Sequence, residues 1–124
     1  AEEEAQQASR AASLGTRNRK LLRILRYMEE HIEDLFTLDE LAEEFDVSRR
    51  QIERLFLAHV GVTPKQYLTD LRLTRARMLL AETDLKVADV ASACGFDSSS
   101  HFSRRFRTRF GISPHRFQST RAPT

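Results

Sequence analysis

Tryptophan is missing from this 124-residue chain, cysteine occurs once, and there are only three prolines and four glycines. A lone cysteine cannot close an intrachain disulfide or build a thiolate metal site, which fits a reducing cytosol. No stretch approaches the roughly 18 consecutive apolar residues of a membrane span, and no cationic-then-apolar leader opens the chain. No segment alternates apolar and polar residues long enough to suggest a sheet. No acidic metal cluster or activated cysteine stands out, so neither a catalytic residue nor a metal or cofactor is expected. What is present recurs at helical spacing, and the expected class is all-α.

Charge is unevenly spread. Residues 1–47 carry 6 Lys/Arg against 12 Asp/Glu, whereas residues 48–124 carry 14 against 6, so a net charge of only +2 conceals a basic second part at +8. A basic segment of that size is the electrostatic footprint of a nucleic-acid binder. None of the helices expected here has the broad apolar-plus-lysine pattern of a membrane-surface helix.

The most informative stretch is FDSSSHFSRRFRTRFGISPHRF, from Phe96 to Phe117. Phe102, Phe106 and Phe110 fall at i, i+4 and i+8 on one helix side, with Arg104, Arg105, Arg107 and Arg109 fanned over the rest. Gly111 ends that helix by entering the left-handed conformation cheaply, and Ser113-Pro114 starts another as N-cap and N1.

Upstream, residues 1–16 (rich in Ala, Glu and Gln) read as a linker from an absent domain, in keeping with Ala rather than Met at position 1. A bracing helix is expected from Arg17 to Ile32, with Leu21, Leu25, Met28 and Ile32 along its face. Thr37–Glu40, Ser48–Gln51 and Thr63–Gln66 are capping boxes opening three helices. They cover Leu38–Phe45, a segment reaching about Val60, and a long helix from Lys65 to Glu82 with Tyr67, Leu68, Leu71, Thr74, Arg75, Met78 and Leu79 on its stripe. A short helix over Val87–Cys94 precedes the arginine-rich one. Residues 17–66 and 85–118 are thus two units joined by a linker helix over 67–84, with a disordered tail at 119–124.

Those two units are copies. Leu38, Leu41, Ala42 and Val47 match Val87, Val90, Ala91 and Phe96 at a spacing of 49. Ser48, Ile52, Arg54, Phe56, Gly61, Pro64 and Tyr67 match Ser98, Phe102, Arg104, Phe106, Gly111, Pro114 and Phe117 at a spacing of 50, the extra residue lying near Asp97. Each copy reads as two helices meeting at a tight turn, the second carrying outward polar residues: a helix-turn-helix. Most matched positions are core or cap positions. Arg54 and Arg104 instead project away from the apolar stripe, where either a salt bridge or a guanine edge in the major groove would engage them.

Two such motifs joined by a long helix and ending in GFDSSSHFSRRFRTRFGISPHRF resemble the DNA-binding domain of the AraC/XylS family of bacterial transcription regulators, over roughly Lys20 to Gln118. The resemblance implies that the second helix of each motif enters the major groove. It assigns base reading to Arg49, Arg50, Glu53 and Arg54 in the first copy, and to Ser99, Ser100, His101 and Arg104 in the second. Phosphate contacts are expected at Thr63, Lys65, Ser113 and His115, whose helix starts suit an anion, and at Arg105 and Arg107. Glu53 has an alternative in Arg49 or Arg50 one turn back, and His101 in plain solvent exposure. Cys94, aligned with Phe45, is expected as a small buried hydrophobe. The implied partner is double-stranded DNA in the cytoplasm (the nucleoid). RNA polymerase is a further candidate, through Asp39, Glu40, Glu43, Glu44 and Asp46, which otherwise form a solvated face. An effector ligand and dimerisation are expected only through the absent upstream domain, and activation is the expected output. Two other classes stay open on the residues: a targeting module of a larger DNA-acting enzyme, and a helical module whose arginines bind an acidic protein.

Overall fold

The computed structural model describes residues 18–120, so Arg17, the linker expected over 1–16 and the tail residues 121–124 lie outside the described residues. Among the described residues there are seven α-helices and no strand. They are α1 (Arg19–Glu30), α2 (Leu38–Glu44), α3 (Arg49–His59), α4 (Pro64–Glu82), α5 (Val87–Ala93), α6 (Ser99–Phe110) and α7 (Pro114–Thr120). The last of these carries helix through Ser119 and Thr120. The chain divides into two compact units, one holding residues 36–68 with α1, the other residues 69–120 with the short segment Ile32–Leu35.

In the first unit, α1 starts at Asn18, whose Oδ1 accepts from the Leu21 N–H at 2.9 Å. Its buried face is Leu21, Ile24, Leu25 and Met28. The helix stops before Ile32, the residue expected to close that face. These side chains meet Leu41 and Ala42 of α2 and Ile52 and Phe56 of α3 in a core with almost no solvent access. Truncating a fully buried Phe such as Phe56 to Ala costs about 3–5 kcal/mol. Thr37 and Ser48 cap α2 and α3 as expected, each hydroxyl accepting the N–H three residues on, at 3.1 and 3.0 Å.

The second unit repeats this plan with aromatics. Phe102 and Phe106 of α6 are fully buried with Leu73, Ala76, Leu80, Val87, Val90, Ala91 and Cys94, while Phe110 and Phe117 pack from the margin. Ring centroids separate by 5.7 Å from Phe102 to Phe106 and 4.7 Å from Phe106 to Phe110, within the range of favourable aromatic pairs. Burial pushes the Cys94 thiol up to about 11, although Arg75 and Arg72 pull the other way. The thiol stays protonated at neutral pH and is inert, as its alignment with Phe45 implies.

Only part of the stripe expected on α4 packs, Tyr67 on Phe56 and Leu79 against the second core. Leu73, Ala76 and Leu80 are buried, Thr74 and Arg75 are exposed, and Met78 is 53% exposed. The reason is that α4 serves two cores: Tyr67 meets Phe56 edge-on at 5.7 Å in the first unit, and the turns from Leu73 belong to the second. A helix that changes its buried face along its length shows no single periodic stripe.

Both motifs turn in the same way. After α2, the Asp46 N–H donates to the Glu43 carbonyl and the Val47 N–H to that of Ala42. After α5, Gly95 donates to Ser92 and Phe96 to Ala91. These paired bonds form a Schellman cap, which needs a left-handed residue at its centre. Asp46 (φ 53°) and Gly95 (φ 83°) supply it. They are not equally replaceable. A Cβ on Gly95 would run into the Ile32 carbonyl oxygen and come within 2.8 Å of the Arg72 Nε. Arg72 is half-buried there, donating from Nε to Ile32 O at 3.1 Å and from Nη2 to Asp34 O at 2.9 Å.

Gly95→Ala combines left-handed strain of about 1–2 kcal/mol with displacement of those hydrogen bonds at about 1 kcal/mol each, so urea unfolding should show a loss near 3 kcal/mol. Asp46→Gly relieves the same strain at an open position and should change stability by less than about 1 kcal/mol. Iodoacetamide at neutral pH should label Cys94 only once the chain is unfolded. Rapid labelling of folded protein would contradict its burial and raised pKa.

Candidate nucleic-acid interface

The repeat brings the second helix of each motif, α3 and α6, to the surface with its apolar side spent on the core. What remains outward on α3 is polar. Arg49 is held by two carboxylates, Asp39 Oδ1 at 3.8 Å and Glu53 Oε1 at 3.4 Å, so Glu53 takes the intrahelical partner that its spacing allowed. Arg50 and Arg54 are exposed and make no ion pair with any described residue. They border a shallow hollow of about 380 Å³ together with Ser48, Gln51 and His59. Such a recess, edged by free guanidinium groups, presents donors in the fork geometry that matches guanine O6 and N7 or a phosphate.

On α6, Ser98 caps the helix by accepting from the His101 N–H at 3.1 Å. Ser99 and Ser100 lie exposed in the first turn beside the exposed His101. The His101 ring sits 3.7 Å from Asp97 Oδ1 and edge-on to Phe96 at 5.8 Å, so the one extra residue of the second turn becomes a neighbour of a candidate base reader. Arg104, Arg105 and Arg107 are exposed and free of ion pairs with the described residues. Arg109 is occupied, 3.7 Å from Asp70 and over the Phe110 ring at 5.1 Å. Arg77 of α4 lies over the same ring, also at 5.1 Å. Structure therefore sorts the arginines, which sequence spacing could not do: Arg50, Arg54, Arg104, Arg105 and Arg107 have their donors available. Exposed pairs such as Arg49–Glu53 contribute only about 0–1 kcal/mol and yield readily to a stronger anion.

The expected phosphate positions are less alike than the repeat implies. At the start of α4, the Thr63 hydroxyl accepts from the Gln66 N–H at 3.1 Å and Gln66 Oε1 accepts from the Thr63 N–H at 3.3 Å. That closed capping box engages the Thr63 and Gln66 N–H groups at the helix start. Lys65 is exposed beside it. At the start of α7, Ser113 Oγ accepts from the Arg116 N–H at 3.2 Å, but Arg116 stands where Gln66 would be, and His115 is exposed. Arg116 was not singled out by spacing or motif. The signal that finds it is the position-by-position difference between the two copies.

Among the described residues no three His, Cys, Asp or Glu side chains cluster to hold a metal, and no helix is long and apolar enough to cross a membrane.

A family model described as a helix-turn-helix domain matches residues 41–120. The transcriptional regulator CdhR of Pseudomonas aeruginosa is 50% identical over 104 residues, which are 84% of this chain and 31% of that protein. The chain thus spans about a third of this curated relative. A solved transcriptional regulator from Chromobacterium violaceum, described as an AraC-type DNA-binding domain-containing protein, superposes with a TM-score of 0.77 at 42% identity, covering 83% of this chain and 92% of that one. The DNA-binding domain of AdpA, solved in complex with a target DNA, matches at 32% identity and a TM-score of 0.77, over 80% of this chain and 89% of that one. Two helix-turn-helix units, an arginine-bearing outer face on each, and these likenesses place the chain in the AraC/XylS family of transcription regulators, whose DNA-binding domain it carries.

Proposed function

We propose that this chain binds double-stranded DNA sequence-specifically, with α3 and α6 each lying in a major-groove segment. One observation carries the reading: Arg54 and Arg104 occupy the same position in the two copies, and both are exposed with unpaired guanidinium groups, whereas Arg49 and Arg109 on the same helices are engaged. Arg50, together with Ser99, Ser100 and His101, flanks them near the N-terminal turns, the part of a recognition helix that meets base edges. Arg49 and Glu53 join the face once the ion pair between them opens. Arg105 and Arg107, with Lys65, Thr63, Ser113 and His115, are suited to the backbone, which fixes register without reading sequence.

At the level of the whole regulator the output is control of transcription, with activation its expected sign. The exposed acidic residues Glu40, Glu43, Glu44 and Asp46, with Asp39 beside Arg49, offer RNA polymerase a surface that DNA would repel. An effector and a dimer interface belong to parts of such a regulator beyond this chain.

Because Lys and Arg displace counterions from DNA, log K against log[salt] should fall with a slope of about −0.9 per phosphate contact. A flat titration would remove DNA binding as the activity. Arg54→Ala should cost about 1–3 kcal/mol and relax base preference in one segment only, and Arg104→Ala should do so in the other. Site selection from a random duplex pool reads this directly. If both variants keep the parental preferences and merely bind more weakly, the two arginines clamp phosphates and the direct readout assigned to them is wrong.

A further inference from the structure

The two copies differ where α6 ends and α7 begins. There a hollow of about 400 Å³ opens between Arg107, Gly111, Ile112, Ser113 and Arg116. Both arginines are exposed, and neither guanidinium pairs with a described residue. At the repeat spacing of 50, the matching residues of the first unit are Leu57, Gly61, Val62, Thr63 and Gln66. Both cations are gone. Leu57 stands 63% exposed where Arg107 would be, and the Gln66 carboxamide is turned back onto Thr63. The wider segments agree: residues 98–117 hold five arginines and no acid, while residues 48–67 hold three arginines, one lysine and Glu53.

We propose that the second unit carries a seat for a DNA backbone phosphate, formed by Arg107 and Arg116 across the Ser113 hollow, that the first unit lacks. It rests on the DNA-binding reading above and divides the work unequally between the two motifs. Two guanidinium groups converging on one recess can surround a phosphate with several charge-assisted hydrogen bonds. A neutral amide already engaged in its own capping box, beside an exposed leucine, cannot. The second unit therefore supplies more of the sequence-independent, salt-sensitive affinity, and the first depends more heavily on what Arg50 and Arg54 find in the groove.

The repeat itself provides the test, since each unit can be given the other's residues. The parental chain, Arg107→Leu/Arg116→Gln, and Leu57→Arg/Gln66→Arg would each be titrated with salt on a selected duplex and on a scrambled duplex of equal length. Removing the seat should make the log–log slope shallower by about one unit on both duplexes, at about 0.9 per phosphate neutralised, and leave the selected base preferences in place. Installing it in the first unit should steepen the slope. Arg107→Gln/Arg116→Gln, which keeps the surface polar, guards against misfolding and should behave as the first variant does. An unchanged slope in both depleted variants overturns the proposal, as does a shifted base preference, which would make Arg107 or Arg116 a base reader. Failure of the broader reading looks different, because there the parental chain itself would show no salt dependence.

Discussion

Each motif hinges on one backbone residue forced into the left-handed region. The short helices α2 and α5 end in the same pair of reversed hydrogen bonds, and only a positive φ lets the chain form them. Those bonds fix the direction in which α3 and α6 leave, and hence which of their side chains meet the core. Ile52 and Phe56 in one copy, and Phe102 and Phe106 in the other, are fully buried because the turn aims them there. The outward arginines are a consequence of the same geometry, since a helix with one face in a core has its remaining positions at the surface. At Asp46 the special backbone stands in open solvent. At Gly95 it lies under the Ile32 carbonyl and Arg72, so the second turn is also a packing contact.

What qualifies an arginine for DNA here is that its donors are not already used. Arg72 is spent on two backbone carbonyls, Arg77 and Arg109 on Phe110, and Arg49 on acidic neighbours. The free ones include Arg50 and Arg54 on α3, Arg104, Arg105 and Arg107 on α6, and Arg116, as well as Arg19, Arg23 and Arg75 elsewhere. Composition describes the chain as mildly basic, but the relevant charge is local and unpaired, and it is denser in the second unit. The acids are distributed in the opposite sense, concentrated on α2, which keeps that helix from lying against a polyanion.

Much of the architecture was legible beforehand, for an identifiable reason. Helix starts are written locally, in a hydroxyl residue and the N–H three positions later, and Thr37, Ser48, Thr63, Ser98 and Ser113 all cap as their spacing implies. The duplicated pattern also brought the candidate reading positions into register. Less legible were features made by residues far apart in sequence. Nothing near Arg72 announces bonds to carbonyls 40 and 38 positions earlier. Part of the stripe on α4 misled because a single helix serves two cores, so Met78 reads as core and stands in solvent while Tyr67 and Leu79 pack.

The sequence by itself determined the helices, the duplication, the residues that cap each motif and the set of arginines to be considered, because all of these follow from contacts within one or two helical turns or from comparison of the two copies. Tertiary structure decided which of those arginines are free, that Gln66 turns back onto Thr63 while Arg116 lines a hollow with Arg107, and that a Cβ on Gly95 would collide with Ile32 and Arg72. Those outcomes depend on where a side chain's partner sits in space. For an arginine whose partner is an aromatic face, a carbonyl 40 residues away or solvent, chain position does not encode the choice.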